Sequence, residues 1–297
     1  MHVIGVFGPT ASGKSEVAAI VATEMPGEVV SADAMQVYQG LPILTNQSSS
    51  PEQLVGIWPL SHAASVGEYA PLAHAAIDAI LASERTPLVV GGTGLYFRAA
   101  LAELELPPEP APGARERWEA LYDEAGATAA HARLGELDAE AAERIHPNDR
   151  RRVVRALELA EVGRSLVPQR EALFGGAWRH PTLVVGLDVP KTELDRRIAE
   201  RTRRMFEVGV EEEVRTALAA EPSTTARKVI GLHEVGTLPR EEAIDALAVR
   251  TRRYAAYQRK WLRRLDGLVM VAADRPPEET AAEIVALART RERLPRP

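Results

Sequence analysis

Short, wholly apolar runs alternate along this chain with longer stretches in which apolar residues recur at helical spacing. Val3 to Phe7 is apolar and closes on Gly8, and Ser15 to Thr23 then carries Ala, Val and Ile at helical intervals. A strand, a loop and a helix are predicted there. The pattern returns with Glu28 to Ala32 as a strand, Tyr69 to Ser83 as an alanine-rich helix, Leu88 to Val90 as a strand entering Gly91-Gly92-Thr93-Gly94, and a helix from Leu95. Thr182 to Val189 and Leu268 to Ala272 read as the last strands, flanking a long helical region. Apolar strands alternating with helices predict an α/β fold: a parallel sheet with helices on both faces.

Between these blocks the character changes. Prolines at 107, 108, 110 and 112 followed by Gly113 exclude helix and central strand, so this segment reads as a linker. Ala114 to Glu161 is charged and helical in pattern, and the chain returns to the sheet through Phe174-Gly175-Gly176. The expected organisation is a core domain of residues 1–105 and 180–297 with a helical insertion domain over 106–179.

Composition narrows the possibilities further. At 297 residues, 45% apolar and 26% charged, the chain matches a globular protein of about two domains and neither a disordered nor a fibrous one. It has no cysteine, which rules out disulfides, thiolate nucleophiles and cysteine-bound zinc. With 36 basic and 42 acidic side chains the net charge is −6. That disfavours uniform coating by nucleic acid but leaves room for a local basic cleft. No leader pattern and no run of roughly 18 apolar residues is present, so a cytoplasmic protein without membrane contact is expected.

The strongest chemical signal is Gly8-Pro9-Thr10-Ala11-Ser12-Gly13-Lys14-Ser15, which fits G-x-x-x-x-G-K-[ST] between a strand and a helix. Such a loop converges backbone N–H groups on phosphate oxygens, adds the positive end of a helix, a lysine point charge from Lys14, and a Ser15 hydroxyl able to ligate Mg²⁺. Asp33 follows the second strand, at the edge where open α/β sheets bind ligands. It can accept a proton, help hold Mg²⁺, or simply cap the next element. The strand entering Gly91-Gly92 ends in Thr93 rather than in the metal-binding carboxylate of many phosphate-loop ATPases, which weighs against nucleotide hydrolysis. The residues alone leave open a P-loop small-molecule kinase using ATP, with Asp33 activating a hydroxyl and Asp188 holding the metal.

Taken in order, the phosphate loop, Ser31-Ala32-Asp33-Ala34-Met35-Gln36-Val37-Tyr38, Gly91-Gly92-Thr93-Gly94-Leu95-Tyr96, Arg144 to Asp149, Arg152, Arg155 to Glu158, Arg201, Met205, Gly209, Glu213, Val214, Thr251, Arg252, Tyr254, Ala255 and Gln258 resemble the tRNA dimethylallyltransferase family, in its bacterial form. The resemblance implies a P-loop NTPase-like parallel core with a helical tRNA-binding insertion. It also implies transfer of a dimethylallyl group from dimethylallyl diphosphate to N6 of the adenosine 3′-adjacent to the anticodon, in tRNAs reading codons that begin with U.

The same resemblance implies roles for particular residues. Asp33, Thr93 and Arg201 would be catalytic. Gly8, Thr10, Ala11, Ser12, Gly13, Lys14 and Ser15 would hold the diphosphate, with Mg²⁺ on Ser15. Asp33, Ala34, Met35, Gln36, Thr93, Arg115, Arg151, Arg152, Arg155, Lys228, Gly231 and His233 would meet the tRNA anticodon stem-loop, and a monomer is expected. Residues 144–155, 196–204 and 250–264 hold 17 of the 36 basic residues, which supplies the locality a basic cleft needs.

Three stretches depart from the family pattern. Val55 to Leu60 replaces a polar segment on the third strand, Leu41 to Gln47 lacks a usual lysine, and Ala255-Ala256-Tyr257-Gln258 lacks two charges of a helix that the resemblance implies faces the tRNA.

Overall fold

The computed structural model describes residues 2–104, 110–166 and 177–292. Two compact units emerge, Met1–Glu103 with Ala177–Pro297, and Leu104–Gly176.

The first unit is built on six parallel strands: β1 (Val3–Phe7), β2 (Gly27–Ser31), β3 (Glu52–Gln53), β4 (Thr86–Gly91), β5 (Thr182–Asp188) and β6 (Val269–Ala272), in the order β3-β2-β4-β1-β5-β6. Every residue of β1 and β4 is buried, as strands covered on both faces must be. One face packs Ile4, Val6, Val29, Leu88, Val185 and Leu187 against α1 (Lys14–Glu24) and the last helix, Pro277–Glu292. The other face carries α2 (Val66–Ala82) and α3 (Gly94–Leu101), where Phe97 meets Phe7 edge-on at 5.1 Å between ring centroids and Tyr69 packs on Tyr96 at 4.5 Å. Crossovers through helices on both faces leave the carboxyl ends of the adjacent β2, β4 and β1 side by side.

Local chemistry explains where the observed elements differ from the predicted ones. Helix α2 starts at Val66, three residues before the sequence pattern, because Ser65 and Glu68 form a reciprocal capping box. Strand β4 takes in Pro87, since pairing with β1 begins only at Leu88 and no partner is waiting for the N–H that proline lacks. The third strand is Glu52–Gln53, not Val55 to Leu60. That second stretch runs alongside residues 36–39 instead, where Gly56 N–H donates to Gln36 C=O at 2.8 Å and Trp58 N–H to Val37 C=O at 3.0 Å.

The second unit is helical: α4 (Ala114–Leu137, broken at Gly126), α5 (Ala139–Arg144) and α6 (Arg150–Glu161). Ala130, Leu134, Ile145, Val153 and Leu157 form its own core. Pro107 to Glu109 of the predicted linker and the return through Phe174 to Gly176 lie outside the described residues. Among the described residues no helix is long and apolar enough to cross a membrane.

Inside the helical unit the Glu158 carboxylate is fully buried and takes Arg115 Nε at 2.8 Å and Arg155 Nη1 at 2.7 Å. Glu158→Ala would leave two guanidiniums facing an empty slot. Their side chains keep 43% and 23% of their surface in water, so rehydration offsets part of the loss. The expected cost is about 1–3 kcal/mol, below that of stranding a fully buried charge. Hydrogen exchange should show lost protection confined to residues 114–161, and unchanged protection there would contradict the structural role of the triad.

Candidate active site

The loop after β1 takes its shape from two left-handed residues, Ala11 at φ 64° and Gly13 at φ 86°. Gly13 does this without strain, whereas Ala11 costs about 1–2 kcal/mol, and the outcome is a concave row of N–H groups leading into the positive end of α1. Lys14 folds back, its ammonium donating to Pro9 C=O at 2.8 Å. Arg201, on α7 (Lys191–Glu207), donates from Nη2 to Thr10 Oγ1 at 2.8 Å. Arg201 Nε and Ser12 Oγ are enclosed without a protein partner. Enclosure pulls Lys14 down to about 8, Asp33 opposing and Arg201 assisting, and pulls Arg201 down to about 10 against Asp33. Two desolvated cations and orphaned polar atoms at an anion nest form a site made for a multiply charged anion.

Across the loop stand the ends of β2 and β4. No helix starts after Asp33; its Oδ1 accepts Met35 N–H at 2.9 Å and so shapes a turn. Thr93 Oγ1 accepts Ala34 N–H at 3.2 Å, lies 3.1 Å from the Tyr254 hydroxyl and 3.5 Å from Asp33 Oδ1. Tyr254 lies on α10 (Arg240–Leu262), which follows α8 (Val210–Ala219) and α9 (Leu232–Thr237). Burial, with Asp33 adding, pushes the Tyr254 hydroxyl well above its usual range, while hydrogen bonds to Thr93 and Gln258 act the other way. The phenol therefore stays neutral and can donate to Thr93, whose own proton then points to Asp33 Oδ1. Both bonds fall on Oδ1, so Oδ2 has lone pairs to spare for a proton from a substrate.

The adjoining wall is held from a distance. Glu213 on α8 accepts Ile43 N–H and Leu44 N–H, each at 2.7 Å, and Gln36 donates to Thr45 C=O and Asn46 C=O at 3.2 and 3.3 Å while its Oε1 takes the Ser31 hydroxyl at 2.8 Å. The departing stretch Leu41 to Gln47 is thereby fixed without the lysine that the family pattern carries.

The loop, the Asp33 turn and Arg201 line one cavity of about 1100 Å³ in the first unit, while Thr93 stands behind Asp33 and is not part of the lining. Thr10, Ala11, Ser12, Gly13, Lys14, Ser15, Asp33, Met35, Gln36 and Arg201 face it, as do Tyr254 and Gln258. Gly8 lies beneath the loop, its N–H 3.4 Å from Gly91 C=O, and Ala34 contributes the backbone bond to Thr93. Gly231 stands behind Leu44, which a Cβ there would meet at 2.4 Å, while Lys228 and His233 are exposed on either side of it. Arg115, Arg151, Arg152 and Arg155 belong to the helical unit, where Arg151 and Arg152 are exposed and the other two share Glu158. Asp188 is exposed at the end of β5 and does not line the cavity.

Sequence reading assigned no role to Tyr254 or Gln258. A signal was present: buried Ala243, Leu247, Thr251, Ala255, Gln258 and Trp261 recur at helical spacing along α10, and polar residues within such an apolar stripe mark a site.

A parallel sheet whose central strand delivers a glycine-lysine loop to a carboxylate, a hydroxyl and an arginine is a phosphate-binding α/β enzyme core of the P-loop class. A family profile described as IPP transferase matches residues 36–265. A tRNA dimethylallyltransferase of Thermobifida fusca is 40% identical over 280 residues, covering 88% of this chain and 87% of that protein. A tRNA isopentenylpyrophosphate transferase structure from Bacillus halodurans superposes with a TM-score of 0.70 at 31% identity, covering 97% of this chain and 96% of that one. A eukaryotic dimethylallyltransferase acting on tRNA shares the fold, with a TM-score of 0.77 at 24% identity over 98% of this chain and 79% of that one. The chain belongs to the IPP transferase family.

The enclosure of Lys14 has a directly measurable consequence. The chain has four lysines, Lys14, Lys191, Lys228 and Lys260, so NMR of ¹³Cε-labelled lysine should resolve them individually. One signal should titrate near pH 8, charged below and neutral above, and vanish in Lys14→Arg. Four signals titrating near the ordinary lysine value of about 10.4 would contradict the enclosed ammonium.

Proposed function

We infer that this enzyme transfers the dimethylallyl group of dimethylallyl diphosphate to N6 of the adenosine 3′-adjacent to the anticodon, in tRNAs reading codons that begin with U, releasing diphosphate. The observation that carries this reading is the make-up of the cavity. A phosphate cradle and Asp33, which Thr93 contacts from outside the lining, share it with Met35, Leu44, Val90, Met205, Ile230 and Leu247, apolar side chains suited to an isoprenoid tail. Relatives named for this reaction at about 40% identity support the same assignment. The kinase alternative needs Asp188 at the metal, and that residue lies outside the cavity.

The reaction follows from the groups present. The adenine enters the cavity unstacked from its loop, with Met35 and Gln36 at its edge. N6 attacks C1 of the dimethylallyl group; the N6–C1 bond forms as the C1–O bond breaks, and that electron pair leaves on the diphosphate. The N6 proton passes to Asp33 Oδ2, while Thr93 and the Met35 N–H hold Oδ1 still. Lys14, Arg201 and the N–H groups of Ala11, Gly13, Lys14 and Ser15 take up the charge that develops on the leaving oxygen. The Ser15 hydroxyl, which faces the cavity, is a hard oxygen ligand that would hold Mg²⁺. Bound there, the ion would neutralise charge on the diphosphate. Arg151 and Arg152 would add phosphate contacts to the tRNA. A tRNA substrate, with no membrane-crossing helix among the described residues, supports a cytoplasmic site of action.

Incubation with radiolabelled dimethylallyl diphosphate and unmodified tRNA tests the reading, with nucleoside mass spectrometry locating the label. ATP turnover on a small alcohol without label in tRNA would overturn it. Asp33→Ala should lower the transfer rate about 10²- to 10⁴-fold with tRNA affinity nearly unchanged, the usual contribution of a positioned base. Arg151→Ala with Arg152→Ala should weaken tRNA binding and reduce the slope of log affinity against log salt by about two; an unaltered slope would place the phosphate contacts elsewhere.

A further inference from the structure

We propose that Gln258 is a positioning residue for this reaction, fixing the phosphate cradle at a set offset from the Asp33–Thr93 pair. The inference rests on the function proposed above and adds a residue to its machinery. Gln258 is 1% exposed. Its Oε1 accepts Thr10 N–H at 2.7 Å and its Nε2 donates to Gly92 C=O at 3.0 Å, so one amide joins the loop after β1 to the turn after β4. A donor at one end and a carbonyl at the other leave a single orientation for the amide. Gly92 directly precedes Thr93, whose hydroxyl lies 3.5 Å from Asp33 Oδ1 and 3.1 Å from the hydroxyl of Tyr254, one turn before Gln258 on α10. Thr10 in turn receives Arg201 at its hydroxyl. The leaving-group clamp and the proton acceptor are thus joined through one buried side chain.

The β1–β4 ladder sets this registration as far as Phe7 and Gly91, and past that point the backbone adds little. Gly8 N–H reaches Gly91 C=O at 3.4 Å, a long bond. Gly92 is where the amide enters, since a Cβ there would lie 2.2 Å from Gln258 Nε2. Group transfer needs N6, C1 and the departing oxygen close to a line. The loop sets the oxygen, the Asp33–Thr93 pair sets the nitrogen, and a shift of about 1 Å between them costs about 10²-fold. Gln258 controls that separation without itself needing to touch the reacting atoms.

Two variants and two measurements test this. Gln258→Ala should lower the single-turnover transfer rate at saturating donor and tRNA about 10²-fold, while the dissociation constant of an unreactive thio-analogue of the donor changes less than about threefold. Gln258→Glu keeps the acceptor for Thr10 N–H but, ionised, cannot donate to Gly92 C=O. Protonation restores that donor, so its rate relative to wild type should climb as pH falls, a trend that a merely space-filling role would not produce. Should the alanine variant fail to fold, this ratio against pH remains the test, and a flat ratio overturns the proposal. So does a saturated rate equal to wild type, or a loss confined to donor affinity. Wild-type protein that transfers no label to tRNA would sink the reaction and this inference with it; an active wild type alongside unimpaired variants would sink the inference alone.

Discussion

Positive charge withdrawn from water is the condition around which the site is arranged. The Lys14 ammonium and the Arg201 guanidinium both sit where burial lowers their proton affinity, and Asp33 is the carboxylate that opposes the shift in each. A dianionic or trianionic group entering the loop relieves this imbalance, because it brings the counter-charge that the protein withholds. The arrangement depends on the sheet order. With β4 lying between β2 and β1, the loop, the Asp33 turn and the Gly91-Gly92-Thr93 turn converge within hydrogen-bonding reach.

The same geometry gives a reason for threonine at the end of β4. A second carboxylate there would crowd Asp33 with like charge and raise its proton affinity, converting a base into an acid. A hydroxyl held by the neutral Tyr254 phenol and the Ala34 N–H orients Asp33 without adding charge. The site therefore sets one carboxylate opposite two cations, an arrangement suited to accepting a proton beside a departing anion.

The helical unit shows how a charge count read from sequence can overstate an interaction surface. Arg115 and Arg155 look equivalent to Arg151 and Arg152 in an arginine-rich stretch. Folding draws the first two onto Glu158, which is buried at the edge of a small apolar core, and leaves the second two in water. Position along a helix separates them: Glu158 lies three residues from Arg155 on the inner face of α6, and Arg115 reaches it from α4. Strand locations were legible because apolar runs bracketed by glycine are local signals. The start of α2 and the length of β3 were less so, since a capping box and a two-residue edge pairing leave little trace in periodicity.

What the chain declares by itself is contiguous chemistry. Residues 8–15 carry their own backbone conformations and helix terminus, so the phosphate loop could be read without knowing its neighbours, and Asp33 and Thr93 could be placed at strand ends from hydrophobic pattern alone. Tertiary structure decided the rest: that Gln258 meets Thr10 across 248 residues, that Tyr254 meets Thr93 across 161, and that Glu213 holds the wall at Ile43 across 170. Such pairings arise from how α8 and α10 pack beside the sheet. A hydrogen bond between residues so far apart imposes no periodicity or spacing on the sequence, because only the packed fold brings donor and acceptor together.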